Sequence, residues 1–264
     1  MIRVENLVVT FGRGTPLEKR ALDGVDLAVE AGEFVSVIGS NGAGKSTLLS
    51  AIAGDVGVSS GRILIDDDDV TRQSTARRSA RVARVFQDPL AGSCGQLTVE
   101  ENLALAAARG TTRGLAHALT ATRRMLFRER VSSLGLGLEG RLHDKMALLS
   151  GGQRQALALV MATLARSSVL LLDEHTAALD PGMAEFVVDL TRRTVEEHRL
   201  TTLMVTHSMR QALDLGTRTV MLHEGKVVLD VKGEERAGLT VGALVAMFRR
   251  QRGQAIDDDA LLID

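Results

Sequence analysis

With 264 residues the chain can bury a large core and suits one α/β domain or two closely joined lobes. Its 32 Lys and Arg against 33 Asp and Glu leave a net charge of −1, which excludes the basic footprint of a nucleic-acid or acidic-lipid binder. Cys94 is the sole cysteine, so no internal disulfide forms and a reducing compartment is expected.

The first six residues, Met1-Ile2-Arg3-Val4-Glu5-Asn6, lack the basic-then-apolar order of a signal peptide. No apolar stretch reaches the ~18–20 residues that cross a bilayer, so any membrane part is expected on another chain. Residues 2–10 and 21–29 predict strands of an antiparallel patch, joined by a polar loop over 12–19 that contains Gly and Pro. Phe11 follows the first of these strands and offers a π-face, either for a planar ligand or for the core.

Residues 33–38 are an apolar, β-branched run of strand length, and residues 47–53 have helical spacing. Between them stands Gly39-Ser40-Asn41-Gly42-Ala43-Gly44-Lys45-Ser46, a complete G-x-x-x-x-G-K-S phosphate loop in the context such a loop requires. The glycines let backbone N–H groups wrap a triphosphate, and the helix beginning near Thr47 adds its positive end. Lys45 is expected to reach the β- and γ-phosphates and the Ser46 hydroxyl to ligate Mg²⁺. The chain is therefore expected to bind a nucleoside triphosphate.

Further along, residues 61–65 predict a short strand, and the four aspartates 66–69 a solvated turn rather than a metal site. Gln87 stands at a strand end in Val85-Phe86-Gln87-Asp88. Thr98 and Glu101 form a capping box opening a helix over 98–108, and helical pattern with Arg at its polar positions continues through 112–148. Leu149-Ser150-Gly151-Gly152-Gln153 then opens another helix. Ser150 and Gln153 are explained by an S-x-x-Q capping box alone, but Gly151 and Gly152 weaken a first turn unless something approaches the backbone there. A helix start with bare N–H groups suits a phosphate, and with one nucleotide already on the phosphate loop, a second copy's nucleotide is the natural occupant.

Residues 168–172 are a continuous apolar run, as in a buried parallel strand, ending in Asp173-Glu174. Beside a phosphate loop, Asp173 is expected to hold Mg²⁺ and Glu174 to polarise an attacking water; alone, the pair could be a solvated strand end. Asp180 with Pro181 reads as an N-cap and first helical residue. Residues 201–206 predict a strand leading to His207, and Ser208 can cap the next helix with Gln211 as its fourth residue. Strands over 218–223 and 226–230, a helix over 241–250 and an acidic-apolar end over 257–264 complete the chain.

The ordered set of phosphate loop, Gln87, the Leu149 to Gln153 signature, Asp173-Glu174, Ala178-Leu179-Asp180 and Val205-Thr206-His207 resembles the ATP-binding cassette family, over nearly the whole chain. The resemblance implies an α/β fold: a P-loop NTPase (RecA-like) core with an antiparallel β patch and an inserted α-helical subdomain. It places the core at 1–87 and 159–248, the helical subdomain at 88–158 and a tail at 249–264. It implies ATP and Mg²⁺ as cofactors, with Ser46, Gln87 and Asp173 toward the metal. A head-to-tail dimer would sandwich two ATP, each between one chain's phosphate loop and the partner's Ser150, Gly151 and Gly152. Gln87 would sense Mg²⁺ and the γ-phosphate, Asp180 would cross the dimer interface, and His207 would order the attacking water with Glu174. Phe11 would stack on adenine.

His175 stands where most cassettes carry Pro or Ala. With Gln87-Asp88-Pro89 and residues 136–139 and 201–209, it makes the chain similar to ATPases of bacterial tryptophan/tyrosine-type uptake systems. These imply an integral membrane permease and an extracytoplasmic substrate-binding protein as partners, and a place on the cytoplasmic face of the membrane. The ATPase of an exporter or lipoprotein-extraction complex is the competing expectation. Cassettes that act on DNA or ribosomes fit less well, since all motifs lie in one uninterrupted cassette of balanced charge, and a kinase would leave the signature unexplained.

Overall fold

The computed structural model describes residues 1–111, 114 and 117–252. The acidic-apolar end and part of the helical pattern beginning at 112 lie outside the described residues. The chain forms two compact units, Met1–Arg78 with the segment from Leu200 onward, and Ser79–Arg199.

The first unit begins with β1 (Ile2–Phe11) and β2 (Lys19–Val29), an antiparallel pair with Ile2 opposite Val29 and Phe11 opposite Lys19. β3 (Phe34–Ile38) is buried at every position, which is why it reads as an unbroken apolar run. α1 (Lys45–Ala53) follows the phosphate-loop segment. β4 (Ser60–Ile65) pairs with the other side of β1 and turns back into the two-residue β5 (Asp68–Asp69), before the single turn α2 (Thr75–Arg78). Asp66 and Asp67 both have positive φ, 51° and 64°, the backbone of a tight hairpin turn, and Asp66 accepts the N-terminal ammonium at 2.7 Å. Two of the four aspartates thus form the expected turn and the other two the returning strand.

The second unit contains β6 (Val82–Val85), α3 (Val99–Ala107), α4 (Ala121–Ser132), α5 (Gly151–Leu164), β7 (Val169–Asp173) and α6 (Pro181–His198). β6 and β7 run parallel with Val85 opposite Leu172. The helices close over a core of Leu103, Phe127, Val131, Leu138, Met146 and Leu157. Thr98 caps α3 in the expected capping box with Glu101. The borders expected near 88 and 158 fall inside this unit, since β6, β7 and α6 group with the helices.

The chain then returns to the first unit with β8 (Thr201–Val205), α7 (Met209–Leu215), β9 (Arg218–His223), β10 (Lys226–Lys232), the short α8 (Gly233–Ala237) and α9 (Val241–Arg252). β8 and β9 flank β3 as parallel neighbours, and β10 pairs antiparallel with β9. Ile38, Met221, Leu244 and Phe248 share one core cluster, which anchors α9. Arg218 is buried beside Asp230, which it grips with two hydrogen bonds of 2.6 and 2.5 Å. That pairing raises its pKa, and a further bond to the Ala28 carbonyl ties β9 to β2.

Candidate nucleotide site

In the first unit, the loop over 39–44 leaves the C-terminal end of β3 and enters α1 at Lys45. Gly44 is the N-cap with φ 102°, and a Cβ there would lie 2.6 Å from the Ala21 carbonyl oxygen. A Cβ on Gly39 would lie 2.2 Å from the Leu222 carbonyl, so both positions exclude a side chain on space alone. With glycine as its N-cap and no acidic residue in its first turn, α1 keeps its positive end for an anion. Lys45 is buried, and its Nζ donates to the carbonyls of Gly39 at 2.7 Å and Ser40 at 3.2 Å. The ammonium is thus held across the loop it would serve, with Ser46 and Thr47 following in the first turn.

His207 comes just past the end of β8, the parallel neighbour of β3. The Thr206 N–H donates to the Val37 carbonyl at 3.2 Å, which sets His207 at the strand-end edge from which the phosphate loop springs. Ser208 caps α7 by accepting the Gln211 N–H at 3.2 Å, as expected. The Thr206 hydroxyl accepts from the Ser208 N–H and donates to the Gln211 side-chain oxygen, so the turn carrying His207 is braced on both sides. Phe11 is 44% exposed at the loop end of the β1–β2 hairpin, so the core-packing alternative does not describe it.

In the second unit, Gln87 and Glu174 follow the C-terminal ends of the parallel pair β6 and β7. Glu174 has φ 45°, an uncommon backbone for a non-glycine residue and one associated with functional positions. Asp173 accepts a 2.7 Å hydrogen bond from Arg84 on β6, and both side chains are largely buried. No local pattern pointed to Arg84, because its partner lies 89 residues away.

His175 was singled out by its rarity, and its environment explains it. Its Nε2 lies 3.0 Å from Thr191 Oγ1 on α6, and that hydroxyl donates to the Val187 carbonyl at 2.7 Å. The hydroxyl proton being used, His175 donates through Nε2–H. Complete burial lowers its pKa to about 4, so it is neutral and pins the segment after Glu174 to α6.

The Ser150 capping box is present: Ser150 Oγ accepts the Gln153 N–H at 3.2 Å, and Gln153 Oε1 accepts the Ser150 N–H at 3.1 Å. The adjoining glycines differ. A Cβ on Gly152 would lie 2.6 Å from Met183 Cε and 3.0 Å from its Cβ, so a side chain there would force the Met183 side chain or the packing of α5 on α6 to shift. A Cβ on Gly151 would meet only Leu179 Cδ2 at 3.9 Å, so nothing among the described residues requires that glycine. Asp180 caps α6 by accepting the Met183 N–H at 3.1 Å, with Pro181 at the start of the helix. Ser46, Gln87 and Asp173 offer hydroxyl, amide and carboxylate oxygens, the hard donors that Mg²⁺ takes, and the Asp173 carboxylate already holds a cation in Arg84.

Fold and site chemistry define a P-loop nucleotide hydrolase. The family model described as ABC transporter matches residues 22–177, and the chain belongs to that family. It is similar to the tyrosine transport ATP-binding protein of Clostridioides difficile, with 44% identity over 94% of this chain and 98% of that protein. It is also 34% identical to the energy-coupling factor transporter ATP-binding protein EcfA2 of Clostridium tetani, over 100% of this chain and 93% of that one. Among solved structures it matches the ATP-binding cassette MJ0796 in a dimeric post-hydrolysis state bound to ADP and Pi. That match has a TM-score of 0.76 and 30% identity, over 88% of this chain and 98% of that one. The chain is an ABC transporter ATPase: it binds ATP and couples its hydrolysis to transport. Among the described residues no helix is long and apolar enough to cross a membrane.

Proposed function

We propose that this chain is the ATPase subunit of a bacterial importer for a small, amino-acid-like solute. It would work on the cytoplasmic face of the membrane with an integral permease and an extracytoplasmic binding protein. The tyrosine transport for which that Clostridioides difficile relative is named, together with the similarity over 94% of this chain, supports that choice. Two copies would close head to tail around two ATP, each bound by one phosphate loop and the partner's signature. The observation that carries this reading is Gly151, a first-turn glycine whose side chain would meet only Leu179 at ordinary contact distance, beside a neighbour crowded by Met183. Such an uncrowded position at the start of α5 suits close approach by a phosphate from outside the chain.

In this proposal Lys45, the backbone of residues 39–44 and Thr47 bind the phosphates, and Phe11 carries the adenine. Ser46, Gln87 and Asp173 hold Mg²⁺, which supplies neutralisation of the charge that builds on the phosphate oxygens. Glu174 takes the proton of the attacking water, and His207 orders that water against the γ-phosphate. Ser150, Gly151, Gly152 and Gln153 act on the partner's nucleotide, and Asp180 reaches across. Residues 88–158 would be the subdomain that meets the permease.

The test is Glu174→Gln, read by ATP hydrolysis and by size-exclusion chromatography with and without ATP. Loss of the base is expected to cost about 10²–10⁴ in turnover while ATP binding persists and a dimer accumulates. Near wild-type turnover would remove Glu174 from the role of base; a chain that stays monomeric with ATP would overturn the paired site.

A further inference from the structure

Arg84 lies on β6 among buried apolar neighbours, opposite Leu171 of β7 in the parallel register. Its guanidinium donates from Nη2 to Asp173 Oδ2 at 2.7 Å, and the two side chains are only 12% and 13% exposed. The same group lies over the Phe86 ring, 4.6 Å from its centroid. Phe86 is held in turn, since its carbonyl accepts a 3.2 Å hydrogen bond from Nε2 of the fully buried Gln155 on α5. One face of the guanidinium is therefore fixed by an aromatic ring and one edge by a carboxylate. That planar, two-sided fit suits Arg and would be lost with Lys.

A charge pair this sheltered is under-screened by water, so each partner feels the other strongly. We propose that Arg84 is a positioning residue for Asp173: a built-in counter-cation that holds the carboxylate oriented before metal binds, and that weakens its hold on the metal. The inference rests on the proposed metal role of Asp173 and adds to it. An arriving divalent ion must share the Asp173 carboxylate with a fixed positive charge 2.7 Å away. The consequence is a site that takes metal reversibly.

The experiment measures Mn²⁺ binding to the full chain by electron paramagnetic resonance of the free ion, with adenylyl-imidodiphosphate as the unhydrolysed nucleotide. Arg84→Met keeps the length and removes the charge, and it should bind Mn²⁺ about tenfold more tightly or better. Arg84→Lys retains the charge and should stay within about threefold of the wild-type affinity. An Arg84→Met affinity equal to or weaker than wild type overturns the proposal. If Arg84→Met does not fold, the Arg84 Nε–H resonance of the wild-type chain, assigned through Arg84→Lys, decides. It should shift when Mg²⁺ is added to the nucleotide complex and not when nucleotide is added with chelator; an unmoved resonance overturns the proposal. Asp173→Ala separates this from the underlying reading. Unchanged Mn²⁺ affinity in Asp173→Ala removes Asp173 from the metal, whereas weakened binding there with no gain in Arg84→Met sinks the role of Arg84 alone.

Discussion

The two signature glycines should respond in opposite ways to the same added methyl group. At Gly152, an alanine Cβ enters space within 2.6–3.0 Å of Met183 Cε, Cγ and Cβ, so the Met183 rotamer or the spacing of α5 and α6 must give. Overpacking of this kind costs about 1–3 kcal/mol, offset in part by up to ~1 kcal/mol gained when Gly becomes Ala in a helix. A net loss of about 1–2 kcal/mol lowers the melting temperature on the order of 5 °C for a chain of this size. At Gly151 the methyl meets only Leu179 Cδ2 at ordinary contact distance, so Gly151→Ala should melt at or slightly above wild type. Yet Gly151→Ala should lose most ATP hydrolysis, because the methyl fills the space proposed for the partner's triphosphate. Thermal melting and steady-state ATPase on both variants separate the two roles. If Gly151→Ala hydrolyses at the full rate, the open face takes no nucleotide; if it melts well below wild type, the glycine is structural after all.

The buried His175 predicts acid sensitivity. Its folded pKa of about 4 lies below the ordinary 6.5, so the unfolded chain binds the proton first. Its contribution is complete above pH 6.5 and falls by up to about 3 kcal/mol as pH drops toward 4, where the folded form also protonates. Urea midpoints at pH 7.5 and 5.0 should differ less for His175→Ala than for wild type, although the variant starts less stable; an equal difference would assign the acid loss to other groups. Phe11→Ala removes an exposed ring and should weaken ATP binding several-fold with little change in melting temperature, measured by calorimetry with ATP. Ser150→Ala should cost about 1 kcal/mol through the lost cap alone, so a drop in hydrolysis greater than the loss of folded protein would mark its catalytic share.

Most of the site was legible because its parts are contiguous. A phosphate loop needs its glycines, Lys45 and Ser46 side by side, and caps such as Thr98 with Glu101 or Ser150 with Gln153 act within four residues. The buried parallel strands β3 and β7 announced themselves as apolar runs for the same local reason. Helix α6 was visible only at its start, from Asp180 and Pro181, because the 18-residue helix carries a broad polar face.

Residue order along the chain was enough to establish nucleotide chemistry and the family's sequence of motifs, since each depends on neighbours a few positions apart. Tertiary structure alone decided that Arg84 meets Asp173, that His175 is pinned to Thr191, and that Gly152 is crowded by Met183 while Gly151 is not. Those outcomes depend on the register of β6 against β7 and on how α5 lies on α6. Such distances are set when whole elements pack, and a local stretch of sequence carries no trace of them.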